Sequence, residues 1–229
     1  MILFDPERQI LFEDNHLIII NKLPSQIVQG DKTGDIPLNE QIKDFLKIKY
    51  NKPGNVYLGV VHRLDRPVGG ILIFTKTSKA LARLNKMLAN REIQKVYWAV
   101  VNKRPPEPEG HLIHYLVKDQ EKNKSFASSK PKGSAKRAEL KYKLLKSSDK
   151  YHLLEIELMT GRHHQIRVQL AKIGCLIRGD VKYGFPRANT DQSIHLLSRD
   201  LYFAHPVTNE NLHIRVSPPR DPVWDLFRD

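Results

Sequence analysis

The sequence predicts an α+β fold with a mixed, largely antiparallel sheet flanked by helices and loops. Segments typical of strands outnumber those typical of helices, and several strands adjoin through short turns. The chain has 229 residues, and 40% of them are hydrophobic. That is enough for a sizeable core, in one large domain or two small ones. We interpret residues 1–229 as a single domain.

The first half of the chain mixes apolar runs with amphipathic segments. The apolar, β-branched runs predict strands, and the segments with apolar residues three or four positions apart predict helices. A proline in the first turn supports the earlier helix, and Ser78 is a candidate N-cap for the later one. The predicted strands are 16–20, 56–61, 71–74 and 95–101, and the predicted helices are 37–50 and 77–90.

The second half contains two irregular stretches among its predicted elements. Residues 104–110 are rich in proline and predict a turn. Residues 118–137 are polar and rich in lysine, and they predict a long, mobile basic loop inserted in the domain. The remaining predicted elements are strands at 138–145, 151–159, 196–203 and 212–216 and a helix at 163–173.

The charge of the chain indicates a polyanionic partner. There are 38 lysines and arginines against 25 acidic residues, a net charge of +13. Such an excess favours nucleic acid as the partner. Charge alone also allows a basic soluble protein with no such partner.

Cysteine content and hydropathy exclude several classes of protein. The single cysteine, Cys175, cannot form an intrachain disulfide, and no cysteine cluster is available for a zinc finger. Its apolar surroundings predict a buried, inert thiol. The apolar run 17–20 is too short for a membrane span or a signal peptide. We therefore expect a cytoplasmic protein without membrane contact.

The most informative segment is 62–70, where Asp65 lies between Arg63 and Arg66 in a turn rich in proline and glycine. Neighbouring positive charges favour an ionised carboxylate. Predicted strands flank the turn, and such a scaffold holds a reactive group in place. Asp65 is therefore a candidate nucleophile or anchor, and a structural salt bridge is the alternative.

A second group of polar residues opens the predicted helix at 163–173. Arg167 lies between Ile166 and Val168, so we expect its guanidinium to be partly buried and to need a carboxylate partner. Asp65 is the candidate partner. An exposed arginine on the flank of the helix is the alternative.

Three further side chains invite a functional interpretation. His163 and His164 are adjacent, so on a helix their rings would point about 100° apart, and no other ligands lie nearby in sequence. A metal site is therefore not expected, and a role in positioning the backbone or in contacting phosphate at the start of the helix is preferred. Tyr97 and Trp98 should face opposite sides of their strand. Either both are core aromatics, or Tyr97 stacks on a nucleobase near Asp65.

With these segments in view, the sequence resembles the RluA-type family of RNA pseudouridine synthases. The resemblance follows the family's order over nearly the whole chain. The segments that carry it are Phe12 to Lys22, His62 to Lys76 with its HRLD core, Lys95-Val96-Tyr97, Leu158 to Gly184 with Thr160-Gly161-Arg162 and Gln165-Ile166-Arg167-Val168, and Leu201 to Pro206.

The resemblance implies a pseudouridine synthase catalytic domain with a central active-site cleft and no cofactor or metal. It implies that Asp65 is the nucleophile, that Arg167 is its ion-pair partner, and that Tyr97 packs on the uracil. Arg63 would enter the RNA stack where the target nucleotide is flipped out. The other residues predicted to bind RNA are His62, Arg66, Arg162, His163 and His164.

Several alternatives remain open at this point. The RNA could be ribosomal or transfer RNA, and a monomer is the default expectation. Since only about ten residues precede the first predicted strand, no N-terminal domain of the S4 type is expected. A non-catalytic RNA-binding or chaperone module would explain the charge but not Asp65. A hydrolytic nucleosidase or glycosylase would need a second acid or base group, and none is evident beside Asp65.

Overall fold

The computed structural model describes residues 2–30 and 34–228. The chain divides into two compact units. The first comprises Met1–Ile93 and Asp200–Val216, and the second comprises Gln94–Arg199 and Ser217–Asp229. The expectation of a single catalytic domain stays a prediction.

The first unit is built on a buried antiparallel sheet. Strand β2 pairs with β1 on one side and with β4 on the other, and β3 also pairs with β4. Every residue of β4 is buried, which matches its unbroken apolar sequence. The elements are α1 (Pro6–Gln9), β1 (Ile10–Glu13), β2 (Leu17–Lys22), α2 (Leu38–Lys49), β3 (Gly59–Val60), β4 (Gly69–Thr75) and α3 (Ser78–Ala89).

The second unit is an antiparallel sheet with a helix against it. Its strand order is β5-β9-β8-β6-β7. The helix α4 contacts β6 and β7, and its first six residues are all buried. The elements are β5 (Gln94–Val101), β6 (Glu109–Asp119), β7 (Lys124–Ser128), β8 (Lys136–Ser147), β9 (His152–Leu158), α4 (Gln165–Lys172) and short 3-10 helices at Val181–Tyr183 and Trp224–Phe227.

A final hairpin returns the chain to the first unit. Strand β10 (Leu196–Ala204) pairs antiparallel with β11 (Asn211–Arg215), with Leu201 opposite Ile214. Antiparallel pairing and few helices confirm the predicted α+β class. None of the helices formed by residues 2–30 and 34–228 has the length and apolar character needed to cross a membrane.

The largest error of the sequence prediction lies in the expected turn and basic loop. Residues 109–119 form β6, and residues 124–128 within the expected mobile loop form β7, which pairs with β6. Few residues of these strands are buried, so their sequences lack an apolar signal. Pairing through the backbone holds them in the sheet.

Smaller errors concern the ends of elements and short elements. The predicted strand 56–61 is reduced to β3, and α1 and β1 were not predicted. Helix α3 is capped by Thr77, whose hydroxyl accepts from Ala80 N, rather than by Ser78. Helix α4 begins at Gln165 instead of residue 163 because His164 has the left-handed φ of 53°.

Candidate active site

Asp65 lies, half-buried, at the start of a turn that leads directly into β4. Val68 N donates to Asp65 O at 3.0 Å and closes the turn around Pro67. Ser25 N donates to Arg66 O at 2.8 Å and ties the turn to the chain after β2. The backbone that carries the carboxylate is therefore fixed from both sides.

A fully buried lysine lies beneath this turn. Lys22 Nζ lies within hydrogen-bond distance of four carbonyl oxygens, of Leu23 (3.1 Å), Asp65 (3.4 Å), Arg66 (3.2 Å) and Val68 (2.7 Å), among which its three N–H groups are shared. Burial lowers the pKa of Lys22 to about 7, and the charge of Asp65 acts in the opposite direction. The amine gathers the carbonyls of the turn against the end of β2. Sequence reasoning did not single out Lys22, although a lysine that ends the apolar run of β2 was a visible signal.

The neighbours of Asp65 in sequence point to different partners. His62 Nε2 accepts from Ile73 N at 3.3 Å, so this ring helps to dock the segment on β4. Arg66 donates to Asp35 at 2.5 Å, and this ion pair fixes the direction of the Arg66 side chain. Arg63 is exposed. Arg66 is exposed as well, so both arginines present charge to solvent, whereas His62 is half-buried.

Tyr97 and Trp98 face opposite sides of β5, as predicted. Tyr97 is 5% exposed, whereas Trp98 is half-buried. The guanidinium of Arg199 lies 3.8 Å from the centre of the Trp98 ring, and Trp98 Nε1 donates to Glu155 at 3.4 Å. Trp98 therefore has a packing role, and Tyr97 lies on the other face of the strand. Lys95 lies on the Tyr97 face, and burial lowers its pKa.

Arg167 forms a buried bidentate ion pair. Its Nε and Nη2 donate to Asp180 Oδ2 at 2.7 Å and Oδ1 at 2.8 Å, and the two side chains are 5% and 2% exposed. The structure confirms that Arg167 is buried and paired with a carboxylate. The partner shown is Asp180, which sequence reasoning placed in a motif without giving it a role. A contact of Arg167 with Asp65 stays a prediction.

A hydrogen-bonded loop sets the start of α4. Thr160 Oγ1 donates to Gln165 Oε1 at 2.7 Å, and Arg162 N donates to the same oxygen at 3.0 Å. Thr160 Oγ1 also accepts from Glu139 N at 2.8 Å, and Gln165 Nε2 donates to Glu139 O at 3.0 Å. The threonine and glutamine of the motif thus tie the loop to β8 and fix the position of α4.

The two histidines before α4 are stacked rather than splayed. Their ring centres lie 3.8 Å apart with 19° between the planes, because the helix begins only after them. His164 is buried and its Nδ1 lies 2.9 Å from Tyr183 Oη. Burial and the nearby charge of Arg167 lower the pKa of His164 to about 2, so the ring is neutral at ordinary pH. This burial argues against the RNA contact predicted for His164.

The other two predicted RNA-binding residues on this loop differ in exposure. His163 Nδ1 lies 2.9 Å from Ser125 Oγ, and its Nε2 lies 3.1 Å from Asn123 Oδ1. Arg162 is exposed and its Nε donates to Arg137 O at 3.1 Å. Arg162 therefore offers a charge at the surface, and His163 is engaged with the β6–β7 hairpin. Within residues 2–30 and 34–228, no group of three His, Cys, Asp or Glu side chains could hold a metal ion.

Comparisons with known proteins identify the family. The family model described as RNA pseudouridylate synthase matches residues 16–172. The chain belongs to this family. It is an isomerase that converts uridine to pseudouridine in RNA.

Individual relatives agree with this assignment, and a solved structure shares the fold. The chain is 33% identical over 223 residues to ribosomal large subunit pseudouridine synthase C of Buchnera aphidicola subsp. Baizongia pistaciae, covering 94% of this chain and 68% of the relative. It is 30% identical over 226 residues to synthase D of Zymomonas mobilis, covering 93% and 70%. Human RNA pseudouridylate synthase domain containing 4 shares the fold, with a TM-score of 0.79, 24% identity, and coverage of 96% and 92%.

Proposed function

We propose that this pseudouridine synthase uses Asp65 as its nucleophile, with Tyr97 and Arg167 as the other catalytic residues. The observation that carries the proposal is the Asp65 turn, in which a partly exposed carboxylate stands on a backbone fixed by Lys22 and β4. A group held by its backbone loses little freedom when substrate binds, and this favours reaction.

The chemistry requires a carboxylate and a route for one proton. The bond between N1 of uracil and C1′ of ribose breaks, the base turns, and C5 bonds to C1′. The proton on C5 leaves and N1 gains one, so the product has the composition of the substrate. Tyr97 is proposed to pack on the uracil and assist removal of the C5 proton. Because the reacting atoms are inaccessible in a stack, the nucleotide must be flipped out, and Arg63 is proposed to fill its place.

Arg167 is proposed to hold the charge of the site in balance. Its own charge is already balanced in part by Asp180, so the guanidinium has a fixed plane and position. A guanidinium so held can favour the ionised form of a second carboxylate. We propose Asp65 as that second carboxylate.

Large-subunit ribosomal RNA is the proposed substrate. Two relatives are named for that RNA and match the chain over more than nine-tenths of its length. The net charge of +13 suits a large polyanion such as ribosomal RNA. Transfer RNA is the alternative, and pseudouridine mapping of both RNAs after removal of the gene distinguishes them. Loss of a site from transfer RNA alone would overturn the choice of ribosomal RNA.

Two further expectations remain proposals, a monomeric state and a cytoplasmic location. The single cysteine, Cys175, supports a reducing compartment because the chain can form no intrachain disulfide. Light scattering on the purified protein tests the monomer, and fractionation of cells tests the location.

Substitution of Asp65 tests the nucleophile. We expect Asp65→Ala and Asp65→Asn to abolish pseudouridine formation in ribosomal RNA transcribed in vitro. The affinity for this RNA should stay within about twofold of the wild-type value. Lys43→Gln, which changes a half-buried lysine of α2 paired with Glu40, is the control that should retain full activity. Undiminished pseudouridine in either Asp65 variant would overturn the assignment, and release of free uracil would indicate a glycosylase instead.

A further inference from the structure

We propose that a groove beside α3 in the first unit binds the phosphate backbone of the RNA substrate, apart from the target uridine. This inference rests on the proposed function, and it adds a second point of contact with the same RNA. The groove is a cavity of about 550 Å³ between the end of α3 and the connection from β10 to β11. The residues that the argument uses are Arg83, Lys86, Asn90, Glu92, His205 and Pro206, all of which line it.

Two positively charged residues of α3, Arg83 and Lys86, line this groove, and Lys79 extends the row along the same face of the helix beyond it. Lys79, Arg83 and Lys86 follow the spacing i, i+4, i+7, so they share one face of α3, and all three are exposed. Ala80 and Leu84 are buried on the other face. Like charges at this spacing destabilise a helix unless something offsets them. A bound polyanion would offset them.

The row on α3 differs from two lysines of α2 that form ion pairs. On α2, Lys43 pairs with Glu40 at 2.9 Å and Lys49 pairs with Glu13 at 2.7 Å. No Asp or Glu among residues 2–30 and 34–228 forms an ion pair with Lys79, Arg83 or Lys86. The positive charge of α3 is therefore left to solvent or to a ligand.

The groove also holds one of these charges in a fixed direction. Arg83 Nη1 donates to Pro206 O at 2.7 Å, which anchors the guanidinium and leaves its other donors for a ligand. The connection that supplies this carbonyl is itself ordered, because His205 Nδ1 accepts from Val207 N at 3.3 Å and Thr208 N at 3.0 Å. A planar guanidinium fixed in this way suits the oxygens of a phosphate.

RNA is the occupant that the charge and size of this surface favour. The row from Lys79 to Lys86 is about 10 Å long. This length matches that of about two or three consecutive phosphates along one strand. Glu92 also lines the groove, and its Oε1 accepts from Asn90 at 2.8 Å. One carboxylate among these cations leaves the groove net positive, as a polyanion requires.

The experiment measures RNA affinity as a function of salt concentration for a variant that lacks two positive charges of α3 and for a matched control. The full-length protein binds an in vitro transcript of large-subunit ribosomal RNA in KCl from 50 to 300 mM. We expect Lys79→Gln/Lys86→Gln to weaken binding about tenfold at 150 mM and to reduce the slope of log K against log salt by about 1.4 to 1.8. The control Lys43→Gln/Lys49→Gln removes the same charge from paired positions on α2 and should change the slope little.

Two further variants separate this proposal from that for Asp65. Arg83→Lys keeps the charge but not the fork, and we expect about threefold weaker binding with an unchanged slope. Asp65→Asn should bind RNA with the wild-type affinity. The binding result therefore tests the groove even if Asp65 is not the nucleophile. Equal slopes for the α3 variant and the wild type, or an equal loss of affinity in the α2 control, would overturn the proposal that this groove binds RNA.

Discussion

The Asp65 turn and the Arg167 pair are positioned by opposite means. The turn lies at the surface and is held through its backbone, by Lys22 beneath it and by β4 after it. Arg167 lies in the core of the second unit and is held through its side chain by Asp180. A backbone-held carboxylate can stay accessible to a large substrate. A guanidinium held by a buried carboxylate cannot turn away from it without leaving an unpaired buried charge, which costs free energy.

The sharpest way to break this comparison is to remove one member of the buried pair. We expect Arg167→Met to lower the free energy of unfolding by about 3–5 kcal/mol, since Asp180 would be left as a buried, uncompensated charge. The double variant Arg167→Met/Asp180→Leu should recover most of that stability but no isomerisation. Urea denaturation and pseudouridine assays measure the two effects.

An exposed pair in the first unit provides the control for that measurement. Arg66→Met breaks the pair with Asp35, whose side chains are 42% and 29% exposed, and should cost about 1 kcal/mol or less. A similar cost at the two sites would show that the burial of Arg167 has no energetic consequence. Recovery of activity in the double variant would remove Arg167 from the catalytic residues.

The contrast also explains which parts of the site the sequence could predict. Asp65 stands in a short segment with glycine, proline and two flanking apolar runs, all of which are visible locally. Arg167 was predicted to be buried from its two apolar neighbours, and it is. Its partner Asp180 lies 13 positions away, and only the folded unit brings the two together.

The same reasoning applies to the fold. The strands β2, β4 and β5 and helices α2 and α3 carry strong apolar patterns and were predicted within a few residues. Strands β6 and β7 have few buried residues and are held by pairing with other strands. Without an apolar pattern, the ends of β6 were predicted as part of a turn and a loop, and all of β7 was predicted as loop.

Removing the lysine beneath the turn is expected to have the next largest effect. Lys22→Met deprives four carbonyls of their donor, and we expect a loss of about 1–3 kcal/mol in the free energy of unfolding. Because the turn carries Asp65, kcat should fall while KM changes little. Lys76→Met, at the far end of β4, is the comparison variant with its own ion pair to Glu13. Equal kcat in Lys22→Met and the wild type would show that the turn needs no such support.

The pH dependence of stability gives a second measure of Lys22. Its folded pKa of about 7 lies below the ordinary value of 10.5, so between these values the unfolded chain binds more protons. The contribution of Lys22 to stability is therefore complete above pH 10.5 and is lost as the pH falls towards 7. Lys22→Met should lack this slope in urea titrations between pH 7 and 9. A slope that persists in the variant must come from other groups.

His164 provides the matching pH test in the second unit. Its folded pKa of about 2 lies below the ordinary 6.5, so its contribution is complete above pH 6.5 and is lost as the pH falls towards 2. Between pH 6.5 and 5 the loss should be about 2 kcal/mol. His164→Asn tolerates the left-handed backbone and should flatten this acid limb of the stability curve. Urea denaturation of both proteins between pH 8 and pH 5 measures the limb, and an unchanged limb in the variant would assign it to other groups.

The smallest expected effect concerns the lysines between β7 and β8. Removing residues 118–137 whole would delete β7 and disrupt its pairing with β6, so the binding test must be confined to the exposed connection. We expect Lys130→Gln/Lys132→Gln to weaken RNA binding several-fold and to reduce the salt slope by up to about 1.8, with folding unchanged. Lys141→Gln/Lys143→Gln removes equal charge from positions opposite Glu157 and Glu155, and should change the slope less. If both pairs change it equally, total charge rather than this connection governs RNA affinity, and the second unit would then contribute to binding only through its overall field.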